Sequence, residues 1–238
     1  MVIDHPIFLE SIRFIRSRLV ANDLNYLEKK VLERLVHTSG DFTVQNLVNF
    51  SEGACEKGLQ ALKNGAPILT DTDMAAAAIK SMAENTTSNK VFTARMWFGK
   101  NNHTNLTKTA FGLSEGWKEL SAINSGSKSP IVVIGSSPTA LTYLIDILDN
   151  AKDLPSLIIG MPVGFIGVEN SKNKLISTDL PRIVLNSTRG GAAMAAAAIK
   201  SMAENTTRNK VFTARMWFEK NNHTNLTKTA YGLSLIHI

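Results

Sequence analysis

The chain has 238 residues, with 26 Lys and Arg against 20 Asp and Glu, a formal net charge of +6, and one cysteine. One cysteine excludes a disulfide within the chain, no apolar run is long enough for a membrane span, and no Lys/Arg run or aromatic-basic motif points to nucleic acid. Residues 201–238 hold five basic and two acidic residues, which leaves 21 basic and 18 acidic in 1–200, so the basic balance is mild where a domain is expected. With no signal segment at its start, the chain reads as soluble and cytoplasmic, with one domain of about 200 residues.

In chain order, the first sixty-odd residues read as helix. Pro6 suits a first turn, and Phe8, Ile12, Ile15 and Leu19 recur at helical spacing. A second helix begins near Asp23, carries Leu24, Leu27, Val31 and Leu35 on one stripe, and should stop at Gly40. SEGACEKGLQALKNG is a third, opened by Ser51 and closed by Gly65, with Cys55 as a small buried residue.

Then the texture changes. APILT (66–70), KVFTA (90–94), PIVVIG (130–135), SLIIG (156–160) and RIVLN (182–186) are short apolar runs bounded by turn residues. Helical stretches at 74–84, 105–121 and 138–150 fall between most of them. The fold class expected is α/β: a mostly parallel sheet flanked by helices, behind a helical N-terminal segment.

In such sheets ligands bind beyond the carboxyl ends of the strands. Four strand exits, TDTDM (70–74), GSSPTA (135–140), GMPVGF (160–165) and STRGGAAM (187–194), are short, small and polar, and three run directly into a helix. Helix starts favour anions, so the rim suits a ligand carrying several acidic groups. In GSSPTA, Ser137 can cap a helix with Pro138 in its first position. The absence of G-x-G-x-x-G disfavours a dinucleotide.

Met74–Ser114 returns at Met194–Ser234, with differences only at Ser88/Arg208, Gly99/Glu219 and Phe111/Tyr231. Repeat architectures stack three or more short units whose copies drift apart, so this pair fits an artefactual or recent duplication better. Its ending, LSLIHI, resembles a reading frame that has run into adapter DNA. The domain organisation expected is therefore 1–200 for the fold and 201–238 for a tail outside it. Lys228, the copy of Lys108, is expected to do nothing, and VFTARMWF (211–218) has no assigned place in the core.

His37, in ERLVHTSGD, lies in the last turn of its helix with Arg34 one turn earlier on the same side. A helix C-terminus favours imidazolium and a guanidinium disfavours it; the competition would leave the group near neutrality and fit for proton donation. A helix-ending surface histidine is the plainer alternative from pattern alone. No His/Cys set has metal-ligand spacing, and His5, His103 and His237 read as solvated.

ERLVHTSGDF, FSEGACEKGLQALKNGAPILTDTDM, TKTAFGL, GSSPTAL, GMPVGFIGVENSK and RGGAAMAAAA, in this order, resemble the precorrin-8X methylmutase family of cobalamin biosynthesis across nearly all of residues 5–200. The resemblance implies a cofactor-free isomerase that moves a methyl group from carbon 11 to carbon 12 of a corrin precursor, giving hydrogenobyrinate, or cobyrinate when cobalt is present. It implies that His37 protonates the macrocycle. It also implies substrate contacts from Ser11, Arg34, Thr38, Thr107, Lys108, Ser137, Thr139 and Gly164, and a homodimer with the site near the subunit interface. Lys108 stands where the family has a basic residue in a Thr-Arg-Ser/Thr-Ala motif; lysine keeps the charge and loses the bidentate fork. Two other readings stay open: a non-catalytic tetrapyrrole or polycarboxylate carrier on the same fold, and a nucleotide- or S-adenosylmethionine-dependent enzyme.

Overall fold

A computed structural model describes residues 6–20, 23–99, 105–149 and 151–204. The elements are α1 (Pro6–Arg18), α2 (Tyr26–Ser39), β1 (Val48–Phe50), α3 (Ala54–Lys63), β2 (Ile68–Thr70), α4 (Asp73–Asn85) and β3 (Val91–Thr93), followed by α5 (Lys108–Ile123), β4 (Ile131–Ile134), α6 (Pro138–Leu148), β5 (Leu157–Gly160), α7 (Val168–Ile176), β6 (Arg182–Leu185) and α8 (Ala192–Ala203). Each of the five apolar runs contains a strand, and the expected α/β class holds.

Local chemistry sets most helix ends. Asn25 accepts the N–H groups of Leu27 and Glu28, and Glu28 accepts that of Asn25, so α2 opens on a capping box. It closes on Gly40, whose φ of 65° is the left-handed conformation that ends helices. The third helix starts later than expected, at Ala54 after Gly53, because Ser51 is drawn to the sheet edge, where its hydroxyl accepts the Arg182 N–H. Cys55 is buried inside it, and burial pushes its thiol up.

The sheet has six strands in the order β1-β6-β5-β4-β2-β3, parallel except for the antiparallel edge β1. From β2 the chain moves outward to β3 and then returns to the other side as β4. The order therefore reverses between β2 and β4, and in open α/β sheets that gap at the carboxyl ends is where ligands sit. One face is covered by α2, α3, α4 and α8, the other by α5, α6 and α7. The central strands β4 and β5 are buried throughout, as a sheet covered on both faces requires.

Helix α8 lies among α2, α3, α4 and the sheet, which explains its Ala-rich sequence: Ala195 to Ala198 are all buried, and larger residues would push the layers apart. It continues past the boundary expected at 200. Met202 and Ala203 are fully buried, and a Cβ on Gly58 of α3 would come within 3.0 Å of the Met202 sulfur. The fold thus takes in the first residues of the second copy. Residues 205–238, including Lys228 and the apolar 211–218, lie outside the described residues, as do His5, His103 and His237. Among the described residues no helix is long and apolar enough to cross a membrane.

Candidate active site

The strand exits interlock along the carboxyl rim. The Met161 N–H donates to the Ile134 carbonyl at 2.8 Å, the Gly191 N–H to the Met161 carbonyl at 2.8 Å, and the Gly164 N–H to the Thr188 carbonyl at 3.0 Å. Two glycines make the contacts possible. A Cβ on Gly135 would stand 2.7 Å from the Ala192 Cα, and one on Gly190, whose φ is 157°, would run into the Met161 carbonyl.

Beneath this rim are two buried charges that the sequence reading left without a role. Lys172 of α7 is fully buried and donates to the carbonyls of Ser187 and Arg189, each at 2.6 Å; burial pulls its ammonium down to about 8. Asp71, at the end of β2, accepts the N–H groups of Ser136 and Ser137 across the gap to β4. Burial raises its carboxyl, and those two N–H groups offset part of the effect.

The expected site residues gather in two groups on the two faces of the sheet. On the α5/α6 face, Thr107 caps α5 and Ser137 caps α6, each hydroxyl accepting the N–H three residues on. Their hydroxyls are joined through Thr139, at 3.0 Å to Thr107 and 3.1 Å to Ser137. Lys108 is exposed in the first turn of α5, and among the described residues no carboxylate pairs with it. Two adjacent helix starts and an ammonium beside them give this corner a positive character of the kind that favours a carboxylate.

On the α2/α8 face, His37 meets Phe8 of α1 edge to face, ring centroids 5.5 Å apart, and the Arg34 guanidinium lies 5.9 Å from the same Phe8 ring. Ser11, half-buried, follows Phe8 by one turn on α1. Thr38 donates its hydroxyl to the Arg34 carbonyl at 2.7 Å, a bond within its own helix. The end of α2 is clamped to the rim by Arg189, which pairs with Asp41 and donates to the Thr43 hydroxyl at 2.8 Å.

One electrostatic expectation needs correction. Partial desolvation, in a side chain that stays exposed, and then the Arg34 guanidinium hold the His37 imidazole below the usual histidine value, not at the balance expected from a helix end against a guanidinium. Phe8 is 29 residues away in sequence, so no local pattern announces this desolvation.

Among the described residues no hydrogen bond joins the two groups, and no cluster of three or more His, Cys, Asp or Glu side chains could hold a metal ion. Between the groups the β5 exit carries an apolar lip: Val163 is 50% exposed, and Phe165 and Ile166 are each 90% exposed. A cleft lined by Lys57, Gly126, Pro155 and Pro181 lies at the amino ends of the strands, the wrong end for a site in this architecture.

The family model described as precorrin-8X methylmutase matches residues 6–205. The chain belongs to the precorrin-8X methylmutase family. It is 35% identical over 186 residues to the precorrin-8X methylmutase of Pseudomonas aeruginosa, covering 74% of this chain and 83% of the relative. It is 28% identical over 214 residues to the cobalt-precorrin-8 methylmutase of Synechocystis sp., covering 84% and 95%. A crystal structure of precorrin-8X methylmutase from Thermus thermophilus superposes with a TM-score of 0.72 at 27% identity, over 84% of this chain and 95% of that one. Membership in the precorrin-8X methylmutase family makes the chain an isomerase, and it favours neither the carrier nor the nucleotide-dependent reading.

Proposed function

We propose that the chain moves a methyl group from carbon 11 to carbon 12 of a corrin precursor, with or without cobalt, and that His37 donates the proton that promotes the shift. The observation that carries this reading is His37 itself, placed against Phe8 and beside Arg34 in the motif on which the family resemblance rests. An imidazole held below its usual value is a stronger acid once protonated, and its exposed position leaves it open to a substrate. Substrate and product are isomers, so the proton given at one position of the ring is lost at another and nothing is consumed. No cofactor enters this scheme.

The cations and helix starts suit the carboxylates of the precursor, and the lip of Val163, Phe165 and Ile166 suits its apolar ring. The chain is proposed to work as a cytoplasmic homodimer, with the exposed lip near the second subunit; light scattering would then return twice the chain mass.

Incubation of the purified protein with cobalt-free and with cobalt-containing substrate, followed by corrin absorption, tests the reading. Conversion of either to its isomer is expected. Binding of both without spectral conversion would mark a carrier instead.

A further inference from the structure

Residues 194–204 repeat 74–84 letter for letter, yet the same letters meet different neighbours. In α4, Glu84 lies 3.8 Å from Lys80, one turn back, and both side chains are more than half exposed. At the end of α8, Glu204 turns instead to α2 and pairs with Arg34. Lys200, the counterpart of Lys80, is half-buried beside the same two groups. Contacts therefore run without a break from Glu204 to Arg34, to Phe8 and to His37.

We propose that Glu204 is an internal competitor for Arg34: its carboxylate takes, in the free protein, the place of a substrate carboxylate, and must give way when the macrocycle binds. The proposal rests on the reading of Arg34 as a substrate clamp. The chemistry is matched, since a guanidinium binds any carboxylate through the same donors. The pair is also exchangeable. The side chains are 25% and 36% exposed, and ion pairs open to water contribute little.

Glu204 is moreover a poor ligand for its position. It caps the C-terminus of α8, where the partial charge of the helix is negative and disfavours a carboxylate. A polycarboxylate brings several charges to Arg34, Lys200 and His37 together, and one glutamate cannot match that. The copied helix end thus lowers affinity for substrate and leaves the reacting carbons untouched.

The test is a fluorescence titration of the full chain with uroporphyrin, an octacarboxylate macrocycle, alongside KM for the corrin precursor. Glu204→Gln should tighten uroporphyrin and lower KM by about two- to five-fold, the range an exposed pair supplies. Glu84→Gln, the same change in the first copy, should move neither, which separates competition from a general loss of negative charge. In an Arg34→Ala background the Glu204→Gln effect should vanish. An unchanged or weaker affinity in Glu204→Gln would overturn the proposal and make Glu204 a support for Arg34. Tightening without turnover of any corrin precursor would leave the competitor standing and remove the proposed reaction; turnover without tightening would do the reverse.

Discussion

The Asp71 carboxylate accepts the Ser136 N–H at 2.6 Å, tying the end of β2 to the end of β4 where the strand order reverses. The next N–H, of Ser137, reaches the same oxygen at 2.9 Å, and Ser137 begins the hydroxyl series through Thr139 to Thr107. A carboxylate that is 2% exposed thus holds the backbone of Ser137, from which hydrogen bonds run to the Thr139 and Thr107 hydroxyls. Asp71→Ala would leave two N–H groups without their acceptor in a buried setting, at a cost of about 1–3 kcal/mol. Urea unfolding should show that loss, with KM raised more than kcat is lowered. Asp71→Asn, whose amide oxygen can still accept, should recover part of both. Equal stability for the alanine variant would show that the loop holds itself.

His37→Ala should lower turnover by about 10²–10⁴, the usual contribution of a general acid, with substrate binding largely kept. Turnover within about threefold of the parent would remove His37 from the chemistry. The pH profile adds a separate readout. A proton donor works while protonated, so kcat should fall as pH rises through the imidazole value, which burial and then Arg34 place below the usual histidine range. Arg34→Gln removes the second cause and should carry that limb to higher pH. For stability the sign is the reverse: a depressed histidine contributes above its unfolded value, and that contribution fades as pH falls through the folded one.

How much of this could be read in advance differs by element. Strands β2, β4, β5 and β6 were legible because burial on both faces demands apolar runs such as IVVI and LIIG. The half-buried edge strand β3 showed only as the short run VFT between turn residues. Strand β1 was not legible, since VNF is three half-buried residues whose only partner among the described residues is β6, more than 130 positions later. Helix α7 escaped notice because a lysine fills its core position: VENSKNKLI shows little apolar pattern, yet Lys172 is as buried as Leu175. Within the site, Arg34 and His37 could be paired by spacing on one helix. Phe8, Asp71 and Glu204 act across the fold, and no local spacing announces their partners.

Lys172 offers a prediction in pH. Its folded value of about 8 lies below the ordinary lysine value, so the unfolded chain holds the extra proton between those limits and stability from this group rises with pH across them. Lys172→Met removes the titration and leaves the Ser187 and Arg189 carbonyls without a donor. The parent should be the more stable protein at pH 7, and its advantage in urea unfolding should widen at pH 10. A constant difference at both pH values would mean that the ammonium titrates normally.

Lys108 is proposed to hold a carboxylate of the precursor at the start of α5. Lys108→Ala should weaken binding more than it slows the bound reaction. Lys108→Arg should bind as well or better, because a guanidinium grips a carboxylate with two hydrogen bonds. Three equal dissociation constants in a substrate titration would show that the side chain points elsewhere.

The duplicated stretch leads to the last prediction, in which the end of α8 sets the boundary. Met202 and Ala203 come from the second copy and are fully buried, so a chain ended after Lys200 loses part of its core. Removing a buried methionine costs about 2–5 kcal/mol, and that truncation should melt well below the full chain. A chain ended after Asn205, where the family match also stops, keeps α8 intact and should match the full chain in melting temperature and activity. Lys228→Ala should likewise change nothing, because Lys108 already occupies the start of α5. The apolar VFTARMWF at 211–218 is an aggregation-prone composition, so the shorter chain should also stay soluble at higher concentration. Loss of activity on ending the chain after Asn205, or on changing Lys228, would make the second copy beyond Asn205 a working part of the protein.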